Sequence, residues 1–163
     1  MPLVSATFQG ELIGIFEVGP SGNPSGKLVG MDISKAYMNY VSMGMNMGGF
    51  PFSAMPGVSQ LGSALGDILD KTSKTHATTA QNMAREFDSC LQTFMSVNHT
   101  TIVTTAGLPV LISELVDLLG KSNPSATMFC QGLATAVNNH AMAAIVSGMI
   151  PGAPPVPFTG PIS

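Results

Sequence analysis

The strongest constraint on this chain is a long C-terminal stretch without charge. Residues 122–163 contain no Asp, Glu, Lys or Arg. A soluble monomer normally places charged side chains on the outward face of a terminal helix, because that face meets water. We therefore expect other protein chains to cover this stretch. Residues 36–66 are also uncharged, and there a buried loop within one subunit is an equal alternative to an interface.

Composition points in the same direction. The chain has 163 residues, enough for one domain with a proper core. Charged residues make up only 9% of it, against about 25% in ordinary globular proteins. Low charge and a mean hydropathy of +0.34 are the opposite of a disorder signature. They suit a membrane protein or a subunit whose surface is largely interface.

The spacing of apolar residues predicts an all-α fold, with five or six helices in a small bundle and at most one short strand, near residues 100–105. A helical pattern covers residues 3–16, with a strand over 12–17 as the alternative. Further helical patterns begin at Asp32, Pro56, Ala80, Pro109 and Pro124, and the last of them extends to Gly148. The residues expected to be buried are Phe8, Leu12, Tyr37, Leu61, Leu65, Met83, Phe87, Leu91, Phe94, Leu115, Leu118, Leu133, Val137 and Ile145.

The chain divides into a helical domain, residues 1–150, and an extended Pro/Gly-rich C-terminal arm, residues 151–163. Pro151, Pro154, Pro155 and Pro157 forbid a continued helix and favour an extended conformation. Residues 19–26 are rich in Gly, Pro and Ser, which is typical of a loop.

A membrane-active helical protein that inserts residues 126–150 is the alternative class. A membrane-spanning helix needs about 20 predominantly apolar residues, and polar side chains from Gln131 to His140 interrupt this segment. It also lacks flanking basic residues. The N-terminus has no basic start of the kind that signal peptides carry. These features favour protein partners over a bilayer.

No catalytic, cofactor or metal signature is apparent. The three histidines have no metal-type spacing, and Cys90 and Cys130 are expected to be small buried side chains rather than a disulfide. The sequences around Lys27 and Lys121 lack the glycine that a phosphate-binding loop requires. Six scattered basic residues argue against nucleic-acid binding. We expect no enzyme; a small hydrolase built on surface carboxylates is the weakest alternative.

The closing sequence of residues 146–163, VSGMIPGAPPVPFTGPIS, and the apolar helix before it resemble structural virion proteins of tailed bacteriophages. The resemblance implies a non-enzymatic structural subunit located in the virion and assembled in the host cytoplasm. Its partners would be copies of itself and other structural subunits, without nucleic acid or a small-molecule substrate. The tail or baseplate is favoured over the neck or the capsid surface.

The residues expected to contact neighbouring chains combine pliable methionines, aromatic rings, the small-residue side of the last helix and the proline arm. They are Met43, Met45, Met47, Phe50, Phe52, His140, Ala143, Pro154, Pro155, Pro157 and Phe158.

Overall fold

A computed structural model describes residues 3–17, 25–71, 75–97, 102–122 and 125–162, and these ranges form six helices and five strands. The helices are α1 (Ser5–Phe16), α2 (Gly26–Val41), α3 (Val58–Asp70), α4 (His76–Leu91), α5 (Leu108–Gly120) and α6 (Ala126–Met142). The strands are β1 (Phe52–Ala54), β2 (Met95–Ser96), β3 (Ile102–Thr105), β4 (Ala144–Ile150) and β5 (Val156–Pro161).

Three of the helices begin in the same way at equal distances along the chain. Ser25, Thr75 and Ser125 are the N-cap residues of α2, α4 and α6, and each side-chain oxygen accepts a hydrogen bond from the backbone N–H three residues later. Such a cap satisfies an N–H that has no partner inside the helix. The helices α3 and α5 are likewise 50 residues apart in sequence at both ends, Val58 to Leu108 and Asp70 to Gly120.

Burial follows the same interval of 50 residues, so the chain consists of three repeats of a helix pair followed by strand segments. In α2, α4 and α6 six positions are buried in every repeat. They are Gly30, Ala80 and Cys130; Ile33, Met83 and Leu133; Ser34, Ala84 and Ala134; Tyr37, Phe87 and Val137; Tyr40, Cys90 and His140; and Val41, Leu91 and Ala141.

The six helices form a closed ring. Each helix contacts the next along the chain, and α1 contacts α6. Side chains from α2, α4 and α6 meet at the centre, where the rings of Tyr37 and Phe87 lie edge to face with centroids 5.1 Å apart. The arrangement therefore has threefold pseudo-symmetry about an axis that runs through the core.

The strands obey the same repeat. β1 pairs antiparallel with β2, and β3 pairs antiparallel with β4. Ala54 lies opposite Met95 and Thr104 lies opposite Ile145, which is the same pair moved by 50 residues. The register then differs by one residue, because β1 and β2 contain an irregularity between Phe52 and Ala54. β5 pairs antiparallel with the other edge of β4.

The C-terminal end of the chain completes the first repeat. Ile162 is fully buried, and a Cβ atom at Gly44 would lie only 2.7 Å from Ile162 Cγ2 and 3.1 Å from Leu3 Cδ2. The positions equivalent to Gly44 are Phe94 and Ala144, which are both buried. The missing side chain at Gly44 thus leaves room for the end of the chain.

The prediction of an all-α fold with at most one short strand is wrong, because two sheets with five strands make the fold mixed α/β. The helix predicted to reach Gly148 ends at Met142. The β-branched Ile145 and Val146 follow, and their side chains pack better in a strand than in a helix. Pro157 and Pro161 are tolerated in β5 because β5 is the edge strand of its sheet and pairs, among the described strands, only with β4.

The predicted core is largely observed, with two exceptions. Leu118 is half-buried, and Ile145 is 42% exposed because it points outward from β4. The short strand expected near residues 100–105 is β3. Most of the predicted loop, residues 19–24, lies outside the described residues.

Candidate functional site

One end of the ring carries all the strands, and we call it the strand end. Among the described residues it consists of 42–57, 92–97, 102–107 and 142–162. The helices α2, α4 and α6 each lead into it, and α3 and α5 each start from it. The other end of the ring carries the N-termini of α2, α4 and α6 and the C-termini of α3 and α5, and we call it the turn end. There the backbone N–H of Gly26 donates a hydrogen bond to Asp70 Oδ1 over 2.8 Å.

The strand end has no charged side chain. None of its described residues is Asp, Glu, Lys or Arg, so every charged residue that the structure describes lies in a helix or at the turn end. The sequence shows this only as separate uncharged stretches. The fold brings them together on one surface.

Large apolar side chains are exposed on this surface. Of the 14 exposed large apolar residues in the described chain, eight lie at the strand end: Met47, Met95, Val97, Ile102, Met142, Ile145, Met149 and Val156. Ile102 and Met47 are the most open, at 68% and 64% exposure. A grouped set of exposed apolar residues is typical of an interaction surface, whereas single ones are ordinary.

Hydrogen bonds below the surface fix its shape. The buried Asn46 donates from Nδ2 to Ser96 Oγ over 2.7 Å, and its Oδ1 accepts the backbone N–H of Phe50 over 3.1 Å. Asn46 and Ser96 occupy the same position in successive repeats. Gly49 adopts a φ of +81°, which allows the tight turn from Asn46 to Phe50. These contacts hold the turn that presents Met47.

The residues predicted to contact other chains fall at this end, with one exception. Met47, Ala143, Pro154, Pro155 and Pro157 are exposed there. Half-buried positions are held by Met43, Met45, Phe50, Phe52 and Phe158. His140 instead lies in the core at 1% exposure, so the structure places it away from any surface.

His140 belongs to a buried polar cluster. Its Nε2 lies 2.8 Å from Asp88 Oδ1, and Asp88 Oδ2 accepts a hydrogen bond from Gln92 Nε2, also over 2.8 Å. Tyr40 donates to Asn138 Oδ1 over 2.7 Å. Tyr40 and His140 occupy equivalent positions in their repeats, and so do Asn138 and Asp88. The bonds Tyr40–Asn138 and His140–Asp88 therefore join two pairs of repeats through the same two positions.

A paired Asp and His also occur in catalytic triads, but here both side chains are buried in the core. Asp88 is 6% exposed and His140 1%, so a substrate has no access to the pair. Burial raises the pKa of the neighbouring Cys90 thiol to about 12, which keeps it from acting as a nucleophile at neutral pH. Burial likewise raises the pKa of Tyr37. The cluster joins the repeats.

A groove of about 760 Å³ lies between α2 and α3. Lys27, Lys35 and Asp67 line it together with Met31 and Met38. In the described part of the chain no group of three His, Cys, Asp or Glu side chains could hold a metal ion. None of the described helices has the length and apolarity needed to cross a bilayer.

Comparison of the chain with protein-family models, with curated proteins and with solved structures finds no match.

The sequence reasoning missed the threefold repeat and the pairing of Asp88 with His140. The repeat does leave a signal, because hydroxyl N-caps recur at residues 25, 75 and 125. The pairing leaves none, since 52 residues separate its two members.

Proposed function

We propose that the protein is a non-enzymatic structural subunit of a larger assembly, in which the strand end is covered by protein neighbours. One observation carries the proposal: three segments from three repeats bring exposed Met, Ile and Val side chains to one end that has no charge. Interface centres are depleted in charge and enriched in Met and aromatic residues. This surface has that composition.

Other partners fit the surface less well. Affinity for nucleic acid comes largely from Lys and Arg at the phosphates, and the described residues of the strand end include neither. Insertion of residues 126–150 into a bilayer would require one continuous helix. These residues instead form α6 and the strand β4, which pairs on both sides. The pair of Asp88 and His140 is buried, which supports a structural role over a catalytic one.

The narrower proposal is a virion subunit of a tailed bacteriophage, in the tail or baseplate. Its support is the resemblance of residues 146–163 to structural virion proteins. In the structure residues 146–162 form most of the third segment of the strand end, including the exposed prolines 154, 155 and 157. The assembly would supply the covering chains that an uncharged surface requires.

The test is incorporation of tagged protein into large particles in the cells or infected cultures that produce it. Met149→Lys places a charge on the strand end, and Met128→Lys is the matched control on α6 near the turn end, with 52% exposure against 47%. An unpaired charge in a covered contact costs on the order of 3 kcal/mol, or about 100-fold in affinity.

We expect the unsubstituted chain and Met128→Lys to sediment with particles and Met149→Lys to remain in the light fractions. Equal thermal unfolding of the two variants controls for folding. The proposal is wrong if the unsubstituted chain sediments at its own mass of 16.8 kDa, or if Met149→Lys enters particles as well as the control does.

A further inference from the structure

The chemistry of the strand end also indicates a partner. We propose that it docks a second copy of this chain, strand end to strand end, with the pseudo-threefold axes of the two copies aligned. This inference rests on the proposed function, in which the strand end is a protein interface.

The first argument is charge. In a twofold contact the same surface patch occurs on both sides, so the patch must be complementary to itself. A charged patch would place like charges opposite one another, which is unfavourable. The strand end avoids this cost because it has no Asp, Glu, Lys or Arg, although the chain has a net charge of −3. The surface is electrostatically compatible with its own copy.

The second argument is the repeat. Met95 and Ile145 are exposed at equivalent positions in successive repeats, as are Met47 and Val97. The third members of the two sets are the half-buried Met45 and the polar Ser147, so exposed apolar side chains recur in two of the three repeats at each position. A twofold axis perpendicular to the pseudo-threefold axis would bring apolar positions of one copy against apolar positions of the other.

The third argument is area. A standard protein interface covers about 800 Å² on each partner, which is about a tenth of the 8222 Å² surface of this chain. The strand end comprises about a third of the described residues. A third of the surface of the chain is more than three times the area of a standard interface on one partner. Covering about a third of the strand end would therefore be enough for a stable contact.

The contact between strand ends should by itself join two copies of the purified chain and no more. A twofold contact uses the strand end of both chains, so neither copy keeps that surface free for a third. The turn ends lie at the two outer ends of such a dimer and carry charged residues, including Asp70, Lys71 and Lys121. Larger particles would form through other surfaces of the chain.

The experiment is sedimentation of the full chain over a range of micromolar concentrations. We expect the mass to rise from 16.8 kDa to twice that value. Met95→Lys should weaken the dimer by about 100-fold or more, because each dimer then contains two unpaired charges in the contact. Met128→Lys should leave it unchanged. Met95 and Met128 are exposed to a similar extent.

A second measurement guards against a folding defect. Cys90 and Cys130 are free and buried, so a new surface thiol can be oxidised selectively. Ile145→Cys should form a covalent dimer under mild oxidation, and Leu28→Cys, an equally large change near the turn end, should not. Covalent dimers from Leu28→Cys with none from Ile145→Cys would overturn the inference.

A chain that stays monomeric at every concentration would overturn self-docking, as would a dimer that resists Met95→Lys or growth beyond two copies. These outcomes leave the proposed function to its own test. A monomer whose entry into particles is still blocked by Met149→Lys would show that the strand end binds a different protein. A monomer that enters particles equally well with and without Met149→Lys would refute both self-docking and the proposed function.

Discussion

Substitution of Gly30 by alanine tests the packing of the ring most directly. Gly30 lies where α2 and α3 come closest. A Cβ atom there would lie 2.6 Å from the carbonyl oxygen of Gly62 and 2.8 Å from the Cα of Gly66. Both are backbone atoms, so no side-chain rotation can relieve the overlap. The equivalent residues Ala80 and Cys130 do carry a Cβ, so glycine at this position is required only in the first repeat.

The expected magnitude combines two opposing terms. Alanine in a helix interior is favoured over glycine by about 1 kcal/mol. Overpacking a well-packed contact costs about 1–3 kcal/mol, and the upper end applies because α2 and α3 must separate as whole helices. Their separation would also open the contact around Leu61, Leu65 and Ile33, which are fully buried. We expect a net loss of about 2 kcal/mol.

Gly14→Ala is the matched control, because it makes the same change in α1 where a Cβ would meet no atom within 4 Å. It should stabilise the protein by about 1 kcal/mol through helix propensity alone. For a chain of this length 1 kcal/mol corresponds to about 2–4 °C in Tm. Thermal and urea unfolding followed by circular dichroism should therefore place the two variants on opposite sides of the original protein. If Gly30→Ala is as stable as Gly14→Ala, the close contact of α2 and α3 is wrong.

The other predictions concern ring closure, the buried pair and the buried thiol. Ile162→Ala should lower the free energy of unfolding in urea by about 3 kcal/mol, because Ile162 is fully buried. Val156→Ala, at an exposed site, should change it by less than about 0.5 kcal/mol. Equal effects of the two substitutions would refute the packing of Ile162 against the first repeat. Asp88→Ala should cost about 3 kcal/mol by leaving His140 without its carboxylate, and replacing both by leucine should recover most of that loss; no recovery would contradict the pairing. Burial raises the pKa of Cys90 to about 12, so its contribution to stability should be fully present below about pH 8, where the unfolded thiol is protonated, and should be lost as the pH rises towards 12. Unfolding measured between pH 8 and about pH 10, where the unfolded Tyr37 is still largely protonated, tests this. A smaller fall with Cys90→Ala in place would identify the Cys90 thiol as a cause, and an equal fall would contradict it.

Helices were predictable because each carries its own periodic pattern. Phe87 and Leu91 in α4 and Leu111 and Leu115 in α5 are spaced four residues apart and are buried as that spacing predicts. The segment after Met142 was not predictable in the same way. Small residues before Ile145 continue a helical pattern, and only pairing with β3 and β5 makes residues 144–150 a strand.

The sequence by itself determined where the helices lie, which faces are apolar and that three long segments carry no charge. Each of these properties depends on residues close together in the chain. The tertiary structure alone decided that the three segments share one end, that His140 is buried against Asp88 and that the closing residues complete the first repeat. Those results depend on contacts between residues about 50 or more positions apart, such as Ile162 with Gly44. Local patterns carry no information about which distant segment will be met, so only the closed ring reveals the surface.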